Sequence, residues 1–242
     1  MVTTEANTPL PQALALADQV LRAGDSAGAE RVLAPLLPPD GGDPRLLHML
    51  GLVKMHQQDH AQAAGFFARA RAADPRAAVL AFSHGTALRW LEQPTQAVEA
   101  FGEAIRLRPD YAEAYFEAGT TLQQMGKLDE AERIFRAWLK AIPGDPRGVL
   151  TLADLLLAAG KLAEAETVLR AGISDPRGAP LHARIHQQLG LCLRRQNKNE
   201  EALAALTRSA ALDPVPFTDA IRAEILQDLQ RYDEALVLSR DM

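Results

Sequence analysis

Apolar positions in this chain do not form one amphipathic stripe. They recur as small and bulky residues at a fixed interval. Aligned on the prolines Pro109, Pro143 and Pro214, the stretches AVEAFGEAIRLRPDYAEAYFEAG, AERIFRAWLKAIPGDP and EALAALTRSAALDP fall into register, and Pro75, Pro109 and Pro143 set a period of 34 residues. Pro176 comes one residue early, and Pro214 comes late after a short insertion around Gly178 to Leu181. With that proline at position 32 of each repeat, position 8 reads Ala17, Gly51, Gly85, Gly119, Ala153, Gly190 and Ala223. Position 20 reads Ala29, Ala63, Ala97, Ala131, Ala165, Ala202 and Ala235, and position 24 reads Leu33, Phe67, Phe101, Phe135, Leu169 and Leu206.

Two helices cross closely only where one side chain is very small, which explains Gly or Ala at positions 8 and 20, with position 24 as the bulky knob. Proline at 32 cannot continue a helix and drives the preceding residue out of the α conformation. Gly24, Gly126 and Gly160, all at position 15, read as helix C-caps. Each repeat is therefore a predicted helical hairpin, helix A near positions 1–14 and helix B near 18–31. The predicted organisation is a disordered lead over 1–9, then repeats near 10–43, 44–77, 78–111, 112–145, 146–178, 179–215 and an incomplete one at 216–242.

Composition agrees. The chain is 48% hydrophobic but only 5% aromatic, and Ala alone supplies 44 residues, which favours closely packed helices over a β-sandwich. Its formal charge of −5 carries no overall footprint for nucleic acid or an anionic membrane. The single cysteine, Cys192, excludes an intrachain disulfide and a cysteine-based metal cluster. The longest apolar stretch, Val149 to Gly160, is interrupted by Thr151 and Asp154 and is too short to span a bilayer. Met1 to Leu10 does not read as a signal peptide, so the expected location is the cytoplasm. The excess of Arg over Lys, 21 to 5, with the richness in Ala, suggests a GC-rich bacterial genome.

The repeat resembles the tetratricopeptide repeat (TPR). Ala112 to Asp145 matches that pattern best, through Tyr115, Gly119, Leu122, Gly126, Ala131, Phe135 and Pro143. The resemblance covers Leu10 to Met242 and implies an all-α solenoid, a right-handed superhelix of about seven hairpins. One departure is position 27, usually small, which holds Leu36 and Trp138. Trp138 reads either as local repacking or as a widened seam that offers its indole to a partner.

By the family's geometry, helix A lines a concave groove through positions 2, 5, 9, 12 and 13. In the third and fourth repeats these include Phe82, Thr86, Arg89 and Trp90, then Phe116, Thr120, Gln123 and Gln124. Aromatics flanked by hydrogen-bonding groups suit peptide anchoring, although Phe82 and Phe116 could equally fill the inter-helix crevice. In the fifth and sixth repeats they include Arg147, Leu150, Asp154 and Leu157, then Arg184, Gln187, Leu191, Arg194 and Arg195. Four arginines there favour an acidic partner, against the alternative of a solvated face balanced by Asp154, Glu200 and Glu201. The carboxylate clamp of chaperone-binding members is absent, since the clamp positions carry Leu14, Asp18, His48, Leu52, Val79 and Ser83. So is the asparagine ladder of glycosyltransferase-linked members.

Sites of chemistry are not apparent. His56 with His60 and His182 with His186 have i, i+4 spacing, but neither pair sits in an HExxH motif and no third ligand is identifiable. Cys192 lacks an identifiable partner base. The expected function is a non-catalytic scaffold that binds a protein or peptide in the groove, without cofactor or metal and with neither nucleic acid nor membrane as partner. The alternative is the N-terminal substrate-recruiting region of a larger bacterial enzyme, a glycosyltransferase, sulfotransferase or hydroxylase, motivated by the unfinished last repeat. Self-association through that repeat is a third reading.

Overall fold

A computed structural model describes residues 9–39, 41–174 and 181–240. The expected lead, apart from Pro9, and most of the insertion around Gly178, with Pro176, lie outside them. The described residues form fourteen α-helices and no strand. Helix A of successive hairpins is α1 (Leu10–Arg22), α3 (Pro44–His56), α5 (Ala78–Trp90), α7 (Ala112–Gln124), α9 (Pro146–Ala158), α11 (His182–Arg195) and α13 (Pro216–Asp228). Helix B is α2 (Ser26–Leu33), α4 (His60–Ala73), α6 (Pro94–Leu107), α8 (Leu128–Ala141), α10 (Leu162–Ser174), α12 (Asn199–Leu212) and α14 (Tyr232–Arg240). The chain divides into an N-terminal unit, Met1–Ala131, and a C-terminal unit, Glu132–Met242, with the division inside α8. Within each unit, helices pack on helices that are next or next but one in sequence.

Local chemistry sets the helix ends. Asp25 and Asp59 cap α2 and α4 by accepting from the backbone N–H of Gly28 and Gln62, and Asp43 and Asp145 cap α3 and α9, each followed by proline as the first helical residue. The residues before Pro75, Pro109 and Pro214 are extended, with φ of −137° at Asp74, −137° at Arg108 and −149° at Asp213, so helix B stops where proline forbids its continuation. In the first repeat helix B ends earlier than the sequence pattern predicts. Pro35 has no N–H for an i−4 bond, and the chain passes after Leu33 into a short 3-10 turn, Ala34–Leu36.

The A-to-B turn has one conformation throughout. Position 15 is left-handed in all seven hairpins, at Gly24 (φ 88°), Gln58 (62°), Glu92 (56°), Gly126 (74°), Gly160 (75°), Asn197 (61°) and Gln230 (61°). Only three of these are glycine. The small-against-bulky rule also appears directly. A Cβ at Gly51 would lie 2.4 Å from the Phe67 ring, one at Gly85 2.7 Å from Phe101, and one at Gly190 2.5 Å from Leu206. Ala17, Ala29, Leu33, Leu46 and Leu50 form a core of this kind around the first hairpin.

Trp138 is fully buried, and its indole N–H donates to Asp145 (3.1 Å). Space for the ring comes from Gly148, where a Cβ would sit 3.1 Å from it. The seam is repacked rather than opened, so the indole is not offered to a partner.

Candidate peptide-binding surfaces

In the N-terminal unit the aromatic candidates part company. Phe82 is half-buried, 4.9 Å from the Tyr111 ring and 5.6 Å from Phe101, so it fills the crevice between hairpins. Trp90 and Phe116 are exposed, at 56% and 41%. Trp90 stacks on His60, with ring centroids 5.3 Å apart, and Arg89 lies 5.9 Å over its ring. Arg89 also pairs with Glu117 at 3.3 Å. Thr86 and Thr120 donate their hydroxyls to the carbonyls of Phe82 and Phe116, one turn back, so both side chains satisfy their own helix. Gln123 is half-exposed and Gln124 exposed. His48 Nε2 is 2.9 Å from Ser83 Oγ, and burial holds the imidazole pKa below its ordinary value, so this clamp position presents a neutral, occupied ring.

In the C-terminal unit, α9 and α11 bring a subset of the predicted residues together. Asp154, Arg194 and Arg195 line a cavity of about 610 Å³ with Leu157, Gln188 and Leu191. Arg195 donates to the Leu157 carbonyl (2.9 Å), which ties the end of α11 to α9. Arg194 pairs with Glu224 at 2.7 Å and with Asp228 at 3.9 Å, both on α13. Neighbouring protein desolvates the Asp154 carboxyl and raises its pKa, while Arg184 pulls it down. Gln187 turns to α13, donating to the Thr218 hydroxyl at 3.1 Å, and Arg147 stays beside its capping residue Asp145. Arg147, Arg184 and Gln187 thus lie outside the cavity lining.

The acidic balance to these arginines is only partly the predicted one, since Asp154 does interact with Arg184. Glu224 and Asp228 face Arg194, whereas Glu201 pairs with Arg170 and Glu200 with Arg231. Gln188 was missed among the predicted site residues. It sits at position 6 of the sixth repeat, outside positions 2, 5, 9, 12 and 13 to which the family's geometry points.

Cys192 is buried with its thiol 3.3 Å from the Leu162 carbonyl, and burial raises its pKa away from thiolate. Among the described residues, no group of three or more His, Cys, Asp or Glu side chains could hold a metal ion. No helix among them is long and apolar enough to cross a membrane.

Tetratricopeptide repeat family patterns match residues 91–149 and 150–215, adjoining stretches that together exceed half of the chain. Among solved structures, PilF of Pseudomonas aeruginosa is similar at 20% identity, covering 88% of this chain and 96% of its own, with a TM-score of 0.62. A tetratricopeptide repeat protein of Parabacteroides merdae is 18% identical over 96% of this chain and 91% of its own, with a TM-score of 0.59. YrrB, described as a TPR protein with an unusual peptide-binding site, is 19% identical over 75% of this chain and 92% of its own, with a TM-score of 0.56. At these identities the likeness is one of fold. No curated protein sequence matches the chain.

Proposed function

Since this chain belongs to the tetratricopeptide repeat family, we propose that it is a non-catalytic protein-interaction scaffold whose C-terminal unit holds a peptide across α9 and α11. The observation that carries this reading is the cavity of about 610 Å³, in which Leu157 and Leu191 form an apolar floor between Asp154, Gln188, Arg194 and Arg195. An apolar peptide side chain fits such a floor, and the polar rim fixes the peptide's orientation. A neighbouring acidic residue would meet Arg195 and compete with Glu224 and Asp228 for Arg194. In the N-terminal unit, the exposed Trp90 and Phe116 supply a further contact surface of the same kind.

The reading is tested by fluorescence anisotropy with labelled peptides carrying Leu or Phe flanked by Glu, against the same peptides flanked by Lys. Wild type is expected to prefer the acidic set. Leu191→Glu, a change at a half-buried position, is expected to weaken binding at least tenfold with the helical circular dichroism preserved. Affinity unaltered by that change would remove the cavity from the reading.

One observation favours a second reading. Tyr232, Leu236 and Val237 on α14 are 64%, 53% and 61% exposed, an apolar surface through which copies could associate. Light scattering that gives a monomer mass at every concentration would dismiss it.

A further inference from the structure

A second cavity, of about 440 Å³, opens on the face of α11 opposite the one described above. His186, Leu189 and Leu193 line it, whereas Gln188, Leu191 and Arg195 line the first, and the 3.6-residue helical period puts these two sets on opposite sides. Ile173 of α10 and Ala204 and Ala205 of α12 complete an apolar pocket, with Arg170, Glu201 and Arg208 at its polar edge.

The charges around it are unequally matched. Arg170 is held by Glu166 at 2.9 Å and by Glu201 at 2.7 Å. Arg208 is exposed and makes no ion pair or hydrogen bond among the described residues. His186 is only 7% exposed, and its buried Nδ1 has no hydrogen-bond partner among the described residues. That nitrogen is sealed from any water-sized atom, so a ligand would meet another edge of the ring, which lines the cavity. Burial, then Arg208 and His182, lowers the His186 pKa.

We infer that this α10–α11–α12 pocket binds a carboxylate attached to a compact apolar group. The apolar group would enter between Ile173, Leu189 and Ala205, and the carboxylate would meet Arg208 and the edge of His186 that lines the cavity. The same chemistry is offered by a free aliphatic acid and by the C-terminal residue of a peptide.

Isothermal titration of the full chain with octanoate, octanamide and the peptide acetyl-Gly-Gly-Leu with a free carboxylate tests the inference. Octanoate or the peptide is expected to bind saturably, with octanamide at least tenfold weaker. If only octanoate binds, the site takes a free acid; if only the peptide binds, it takes a chain terminus. Arg208→Gln, at an exposed position that should not disturb folding, is expected to weaken binding at least fivefold. Ala204→Trp, which fills the pocket from an exposed helix position, is expected to abolish it. Leu191→Glu, on the other face of α11, should leave it unchanged. The inference is overturned if neither carboxylate saturates, if octanamide binds as well as octanoate, or if both pocket variants bind like wild type.

Discussion

At the scale of single residues, the left-handed turn at position 15 is the most regular feature of the fold. The sequence announces it at Gly24, Gly126 and Gly160, because glycine is the common solution for a positive φ. It is silent at Gln58, Glu92, Asn197 and Gln230, which adopt the same conformation. There the surrounding hairpin dictates the backbone, and only the 34-residue register could have located it. A non-glycine residue in this region carries a steric cost of about 1–2 kcal/mol. Glu92→Gly is therefore expected to stabilise the protein by about 0.5–1 kcal/mol, once the greater freedom of glycine in the unfolded chain is set against that relief. A urea midpoint at or below that of wild type would show that the turn at Glu92 is not strained.

At the scale of the hairpin, the size alternation between positions 8 and 24 holds helix A against helix B. Two glycines in the same hairpin separate this packing role from helix propensity. A Cβ at Gly85 would meet the Phe101 ring at 2.7 Å and the Ala97 carbonyl oxygen at 3.2 Å, while one at Gly102 meets nothing within 4 Å. Gly85→Ala should destabilise by about 1–3 kcal/mol through overpacking. Gly102→Ala, an exposed site within α6, should stabilise by up to about 1 kcal/mol. Thermal melts of the two variants should move in opposite directions, and a shared direction would refute the packing argument. Removing a cap tests the start of helix B in the same way: Asp59→Ala should cost about 1 kcal/mol, seen as a lower urea midpoint, because it orphans the Gln62 N–H. Hairpins were legible because small, bulky and breaking residues each leave a mark in the sequence. The early end of α2 was less so, since the register gave no weight to Pro35 inside a predicted helix. Among the site residues, the family resemblance pointed to the face of α11 that carries Arg194 and Arg195, but not to which side chains their neighbours would claim. The opposite face went unread, because a pocket made by three helices has no signature in any one of them.

At the scale of the molecule, recurring ion pairs join successive hairpins, and they make stability depend on acid. Glu30 meets Lys54 in the N-terminal unit, and Glu132 meets Lys161 and Glu166 meets Lys198 in the C-terminal unit, each at 2.7–2.8 Å. These three glutamates share position 21, so one register position links neighbouring repeats. Each has a lowered pKa, with the lysine hydrogen bond as the main cause, and Glu166 is held at about 2. Below their unfolded pKa of 4.5 the unfolded chain binds protons that the folded chain refuses, so this contribution fades as pH falls from 4.5 toward 2. Histidines act earlier. Burial is the main cause that lowers His48, His84 and His186, and His84, whose Nδ1 lies 2.6 Å from Arg71, is pushed down to about 4. A folded chain that keeps these rings neutral loses stability from pH 6.5 downward, and for His84 the loss continues to about 4. The urea midpoint should accordingly be highest above pH 7, fall between pH 6.5 and 4, and fall again below 4.5. His84→Gln removes one of the three titrations and should flatten the first fall. Glu166→Gln should lower the midpoint at neutral pH and flatten the second. A midpoint that stays constant from pH 7.5 to 4 would show that the buried histidines exchange protons equally in both states, and would end this account of acid sensitivity.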